Sequence, residues 1–283
     1  MIDKLISRIK VLNAPIVVGL DPTLEMIPEE FKKSEICDTL TGFNREIIDA
    51  IYDLVPAVKP QIAMYERFGL QGLQAYIDSC QYAKEKGLIV IGDVKRGDIA
   101  STAAAYASHI SDGPWPVDAV TLNPYLGGDS ISPFTDVCAE KEKMVFVLVK
   151  TSNKGSGDLQ DLKLQSGLTV YEHMADLVSE WGSGLIGESG YSKVGAVVGA
   201  TFPQQGVALR KRMPNTFFLV PGYGAQGGAG KDLRGFFDKD GLGCIVNSSR
   251  GIIAAWQNDK SNVGDAARKA VIEMQKDLQE AIS

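Results

Sequence analysis

Histidine is almost missing from this chain: two in 283 residues, His109 and His173, both in stretches patterned as helix. Neither stands with cysteine or acid at a metal-ligand spacing, and no G-x-S-x-G elbow is present. A histidine-held metal and a serine–histidine hydrolase therefore both lack their parts. Cysteine is sparse as well. The four (Cys37, Cys80, Cys138, Cys244) are scattered with no C-x-x-C pair, which excludes a disulfide scaffold and fits reduced thiols. There is no basic excess: 29 Lys and Arg against 35 Asp and Glu give a net charge of −6. That is not the electrostatic footprint of a nucleic-acid binder. A small phosphorylated ligand stays open, because one or two basic side chains and a helix N-terminus can hold it. No apolar run approaches the ~20 residues of a membrane helix. "MIDKLISRIK" at the N-terminus is amphipathic and charged, unlike a signal peptide. The expectation is a soluble cytoplasmic protein without membrane or nucleic-acid partners.

What the sequence does have is apolar material in short, regularly spaced runs. Hydrophobic residues make up 45% and charged residues 23%. Eight β-rich runs recur: "PIVVGL" (15–20), "LVPAVKP" (54–60), "GLIVIGDV" (87–94), "VDAVTLNP" (117–124), "MVFVLVK" (144–150), "VGAVVGAT" (194–201), "TFFLVPG" (216–222) and "GCIVNSS" (243–249). Near-continuous Val/Ile/Leu runs mark strands buried on both faces. Helical patterns separate them, among them 37–54, 70–87 and 169–182, and a last amphipathic stretch closes the chain. Eight strand–helix units without a composition break predict an α/β fold, a single (β/α)8 TIM barrel over 1–283 with N- and C-terminal helices. A doubly wound sheet is the structural alternative.

In such a barrel, chemistry sits where strands end. The polar residues there are Asp21, Lys59, Asp93, Lys95, Thr121, Asn123, Lys150, Thr151, Ser152, Gln226 and Arg250. "IGDVKRGDIAST" (91–102) is the densest cluster. Asp93 and Lys95 stand two apart on a strand and so face the same way, while Asp98 is placed to begin the next helix. By itself the cluster also reads as a helix cap beside a solvated charge patch. With Asp21 and Lys59 on neighbouring strand ends, a working site is the better reading. "PGYGAQGGAGKD" (221–232) holds G-x-G-x-x-G, but after the seventh run and without the acid a dinucleotide site needs. Followed by Arg250–Gly251 after the eighth run, it fits the phosphate site many barrels use. "RGD" (96–98) and the sequon "NSS" (247–249) carry nothing in an intracellular chain.

In order along the chain, Asp21, Lys59, Asp93–Val–Lys95–Arg–Gly–Asp98–Ile99, "KTSN" with Ser152, "PGYGAQGG" with Gln226 and "NSSRG" with Arg250 resemble the landmarks of the orotidine 5′-phosphate decarboxylase family. The resemblance runs from about residue 15 to 256 and is closest to the longer bacterial branch. It implies cofactor-free loss of CO2 from orotidine 5′-monophosphate to give uridine 5′-monophosphate, the last step of de novo UMP synthesis. On that resemblance, Lys95 is the proton donor to C6, Asp93 lies beside the departing carboxylate, and Lys59 bridges Asp21, Asp93 and the ribose. Ser152 bonds the pyrimidine, and Gln226 and Arg250 hold the phosphate. Asp98 and Thr102 reach the neighbouring subunit's site, which makes a homodimer obligatory. No metal and no cofactor are expected. The segment "TSNKGSGDLQDLKLQSG" (151–167) has the length and composition of a closing lid. Two other readings stay open: a Mg2+-dependent phosphosugar enzyme sharing D-x-K-x-x-D, and a catalytically idle nucleotide-binding barrel.

Overall fold

The computed structural model describes residues 1–224, 228–259 and 261–282. Each apolar run forms a strand: β1 Ile16–Leu20, β2 Ala57–Pro60, β3 Ile89–Arg96, β4 Ala119–Leu122, β5 Met144–Lys150, β6 Val194–Val198, β7 Phe218–Val220 and β8 Cys244–Ser248. All neighbours pair in parallel, and β8 pairs back to β1, closing a (β/α)8 barrel. Closure rules out the doubly wound alternative, which would leave two sheet edges.

The strands bury both faces, in two cores. Outward-facing Val18, Val58, Val90, Val120, Val145 and Val246 pack against the surrounding helices. Inward-facing Val17, Ala57, Ile91, Ala119, Phe146, Leu219 and Ile245 form a second cluster inside the barrel. The helix Ile2–Leu12 plugs the N-terminal end of that cluster with Ile2, Leu5, Ile6 and Ile9. The last helix, Val263–Ile282, packs on the helix Ile36–Ile51 at the barrel's side. Among the described residues no helix is long and apolar enough to cross a membrane.

Period-two alternation then sets up the site. One step towards the C-terminal end, the inward positions change from apolar to polar. Ala57 is followed by Lys59, Ile91 by Asp93, Ala119 by Thr121 and Ile245 by Asn247, all buried. The barrel is oily below and charged at its mouth.

Candidate active site

Asp93 is the hub. One carboxylate oxygen accepts from the Lys59 ammonium at 2.9 Å, and the other accepts from Lys95 Nζ and from the Thr121 hydroxyl at 3.0 Å. Asp21 lies 4.0 Å from Lys59 Nζ and accepts the Gln61 amide at 3.2 Å. Lys59 and Asp93 are buried, whereas the Lys95 side chain is 45% exposed to the cavity mouth. Burial alone would drive the Lys59 pKa down, but Asp21 and then Asp93 overcome it and hold the ammonium above the ordinary lysine range. Burial would likewise raise Asp93, yet the Lys59 and Lys95 charges keep its carboxyl well below the usual carboxylate range.

Lys95 reaches Asp93 by a route different from regular strand alternation. Its φ is 44°, in the left-handed region, and the β3–β4 register breaks between Gly92 and Arg96. The Thr121 hydroxyl accepts both the Val94 and Lys95 amides at 3.0 Å, which fixes this turn. A non-glycine residue there costs on the order of 1–3 kcal/mol, a strain that concentrates at functional sites.

A cavity of about 360 Å³ opens over the array, walled by Lys59, Asp93, Lys95 and Thr121 on one side and Thr151, Ser152 and Asn153 on another. Leu148, Val197 and Leu219 make its apolar floor. A second cavity of about 260 Å³ shares Lys59, Asp93 and Pro221 with it and runs to Tyr223, Asn247, Ser249 and Arg250. The two form one cleft, with the charged array where they meet. Ser152 can approach because a Cβ on Gly199 would lie 2.8 Å from the Ser152 backbone.

Six of the nine site residues expected from sequence, Asp21, Lys59, Asp93, Lys95, Ser152 and Arg250, line this one cleft. Asp98 and Thr102 do not line the cleft of their own chain. Asp98 also does not begin the helix. Its carboxylate accepts the adjacent Ile99 amide at 2.8 Å, and the helix starts at Ala100, capped by Ile99 without a side-chain bond. Arg96 is turned away to Glu66 at 3.0 Å and lies over the Tyr106 ring. Gln226 lies outside the described residues. Lys150, a strand-end candidate, does not enter the cleft: past a β5–β6 register shift it packs over Tyr171 and Phe202 and pairs with Asp161 at 2.8 Å. His109 is buried in a 3-10 turn, stacked on Trp115, and His173 is exposed on its helix. Sequence reasoning did not single out Asn247, Tyr223 or the apolar floor. Asn247 was legible as the next inward position after Ile245, but the floor residues look like any barrel core.

Among the described residues, no group of three or more His, Cys, Asp or Glu side chains is placed to hold a metal ion. The carboxylates at the mouth already face the Lys59 ammonium.

The closed parallel barrel, with lysines and aspartates interleaved at the C-terminal mouth of a ligand-sized cleft, defines the class of (β/α)8 barrel enzymes with a charged site at the strand ends. Residues 14–266 match the model of the "Orotidine 5'-phosphate decarboxylase / HUMPS family", and the chain belongs to that family. It is 46% identical to the orotidine 5′-phosphate decarboxylase of Clostridium tetani, covering 100% of this chain and 99% of the relative. The solved structure of Leishmania donovani OMP decarboxylase superposes with a TM-score of 0.80 at 32% identity, covering 99% and 98% of the two chains. Leishmania donovani UMP synthase aligns at 34% identity with a TM-score of 0.82, all of this chain matching 56% of that longer one. The enzyme class is that of the orotidine 5′-phosphate decarboxylases.

Proposed function

We propose that this protein removes CO2 from orotidine 5′-monophosphate to give uridine 5′-monophosphate, without a cofactor, with Lys95 delivering the proton to C6. The observation that carries the reading is the Lys59–Asp93–Lys95 array at the meeting point of the two halves of the cleft. Loss of CO2 leaves an electron pair on a ring carbon that cannot delocalise it well. A fixed cation beside that carbon stabilises the developing charge, and its N–H then becomes the new C–H bond. Two unit charges ~4 Å apart at an effective dielectric near 20 interact by about 4 kcal/mol. Enzymes lower barriers by ~8–23 kcal/mol, so one lysine is not enough. Preorganisation of the whole array and binding energy from the phosphate end of the substrate supply the rest.

In this reading the pyrimidine lies in the Thr151–Ser152 half, and the phosphate lies beside Arg250 in the Tyr223–Asn247 half. Asn247 lines that half, and its Oδ1 is buried without a hydrogen-bond partner among the described residues. Gln226 is assigned to the phosphate from the sequence pattern. Asp98 and Thr102 are assigned to the site of a second copy. That assignment is supported by the exposed apolar surface beside them: Ile99, Tyr106, Tyr125 and Leu126 all stand in solvent in the single chain.

The decisive assay follows orotate absorbance with substrate in the presence and absence of EDTA. Turnover unchanged by the chelator and lost in Lys95→Ala, with UMP binding retained, is the expected result. A strict Mg2+ requirement would move the protein to the metal-dependent phosphosugar branch. UMP binding with no turnover by the unmodified protein would make it an idle nucleotide-binding barrel.

A further inference from the structure

The structure assigns Asp277, on the last helix, as the positioning residue of the phosphate half of the cleft. The inference rests on the proposed placement of the phosphate beside Tyr223 and Arg250, and goes beyond it by naming what holds that wall in place. Asp277 stands 54 residues from Tyr223 in sequence, yet one of its carboxylate oxygens accepts the Tyr223 hydroxyl at 2.7 Å. The same oxygen accepts the Gly230 amide at 2.8 Å. Tyr223 and Gly230 flank the glycine-rich stretch, so a single oxygen ties down both of its ends.

Two further observations make this a built contact. Residue 230 must be glycine for it: a Cβ there would sit 2.6 Å from the Asp277 carbonyl and 2.7 Å from its carboxylate. The far end is closed on itself as well, with Gly224 donating to the Gly228 carbonyl at 2.8 Å and Asp232 accepting the Ala229 amide at 3.2 Å. The arrangement also sorts charge. Asp277 draws the Tyr223 hydroxyl and the Gly230 N–H towards the last helix, while Arg250 and Ser249 are among the donors that line the cleft. Tyr223 thus lines the cleft with its hydroxyl already committed to Asp277.

The test is calorimetric binding of UMP and of uridine to the full-length protein, with steady-state kinetics on orotidine 5′-monophosphate. Bonds to a charged acceptor are the stronger kind, so Asp277→Ala is expected to weaken UMP binding by ~10–100-fold and raise KM in step. Uridine affinity and kcat at saturation should change less than ~3-fold, since the array around Asp93 is untouched. Asp277→Asn, which keeps a carbonyl acceptor, should recover most of the UMP affinity. Tyr223→Phe removes only one bond and gives a smaller loss of the same selectivity, which keeps the question answerable if Asp277→Ala folds poorly. The exposed Glu273→Gln on the same helix serves as the control. Equal losses of UMP and uridine, or UMP binding unchanged in both Asp277→Ala and Tyr223→Phe, would overturn the assignment. Arg250→Ala separates this from the functional reading. If it abolishes the preference for UMP over uridine while the Asp277 and Tyr223 variants do not, only Asp277 loses its role. If it leaves the preference intact, the phosphate placement falls and the inference with it.

Discussion

The Thr121 hydroxyl donates to Asp93 at 3.0 Å while accepting the backbone amide of Lys95 at the same distance. One side chain on β4 thus fixes both the acid at the hub and the strained turn that aims the proposed proton donor. Thr121→Val keeps the shape but leaves the buried Val94 amide and the part-buried Lys95 amide without their acceptor. It is expected to cost about 1–3 kcal/mol in urea denaturation and to lower kcat ~10–100-fold. Thr121→Ser, with the hydroxyl retained, should stay within several-fold of the parent. A valine variant with unchanged kcat would show that the turn is held some other way.

Lys59 has no exposed role to lose, so its replacement reads the array directly. Lys59→Met puts an apolar chain of similar length against a carboxylate that stays buried. Removing one partner of a buried pair costs up to about 3–5 kcal/mol, here moderated because Asp93 keeps Lys95 and the Thr121 hydroxyl. Turnover should vanish in the same variant. Asp93→Asn together with Lys59→Met should be less destabilised than Lys59→Met alone, since the buried carboxylate charge that lost its main partner is then gone as well. If the double variant is the less stable of the two, the cost lies in packing instead.

Acid stability should fall in two stages, an upper one set by His109 and a lower one to which Asp93 contributes alongside other paired carboxylates such as Asp53 and Glu142. Burial, reinforced by the positive charge of Arg96, pushes the His109 pKa down to about 4. In the unfolded chain it is ~6.5. Between those values the unfolded state takes up a proton that the folded state does not, so stability declines as pH falls through this window, by up to about 3 kcal/mol. Asp93 acts lower. Its depressed pKa gives stability that is present above ~4 and lost as pH drops through the folded value. His109→Phe, which can keep the stack on Trp115, should flatten the curve between pH 6.5 and 4 and leave the lower limb intact. A parallel curve for the variant would remove His109 from the account.

Legibility followed the range of the forces involved. The eight strands were readable because burial on both faces leaves a continuous apolar run, and Asp21, Lys59, Asp93 and Lys95 were readable because costly charges stood at strand ends. The local route of Lys95 was not readable. A left-handed φ at a lysine depends on Thr121, 26 residues away, accepting its amide. The start of the following helix differs from the expectation for a local reason: Asp98 spends its carboxylate on the neighbouring Ile99 amide instead of capping the turn beyond. Lys150 looked like one more charge at the mouth until a register shift turned it onto aromatic rings. Partners distant in sequence decided the Lys95 and Lys150 cases, and a local choice between two backbone amides decided that of Asp98; a linear pattern carries neither.

The segment 151–167, read from its composition as a lid, is fastened to the barrel at its first half, and that fastening makes an asymmetric prediction. Gln160 Oε1 accepts the Thr151 amide at 3.0 Å, Gln160 Nε2 donates to the Thr151 hydroxyl at 2.8 Å, and Asp161 takes the Lys150 ammonium. The Lys150 side chain is wholly buried, whereas that of Asp161 is 39% exposed. Neutralising the two partners is therefore not equivalent. Asp161→Asn strands an ammonium among Tyr171 and Phe202 and should cost several kcal/mol, of the order of ~3. Lys150→Met leaves Asp161 to water and should cost about 1 kcal/mol or less. The double variant should resemble Lys150→Met, giving a large coupling in the cycle. Both single variants loosen the stretch that brings Thr151, Ser152 and Asn153 to the cavity, so each should raise KM for the nucleotide. Equal destabilisation by the two would mean that the pair behaves as a surface ion pair and that the segment is held by its other bonds, those of Gln160 to Thr151 and of Thr201 to Ser152 among them.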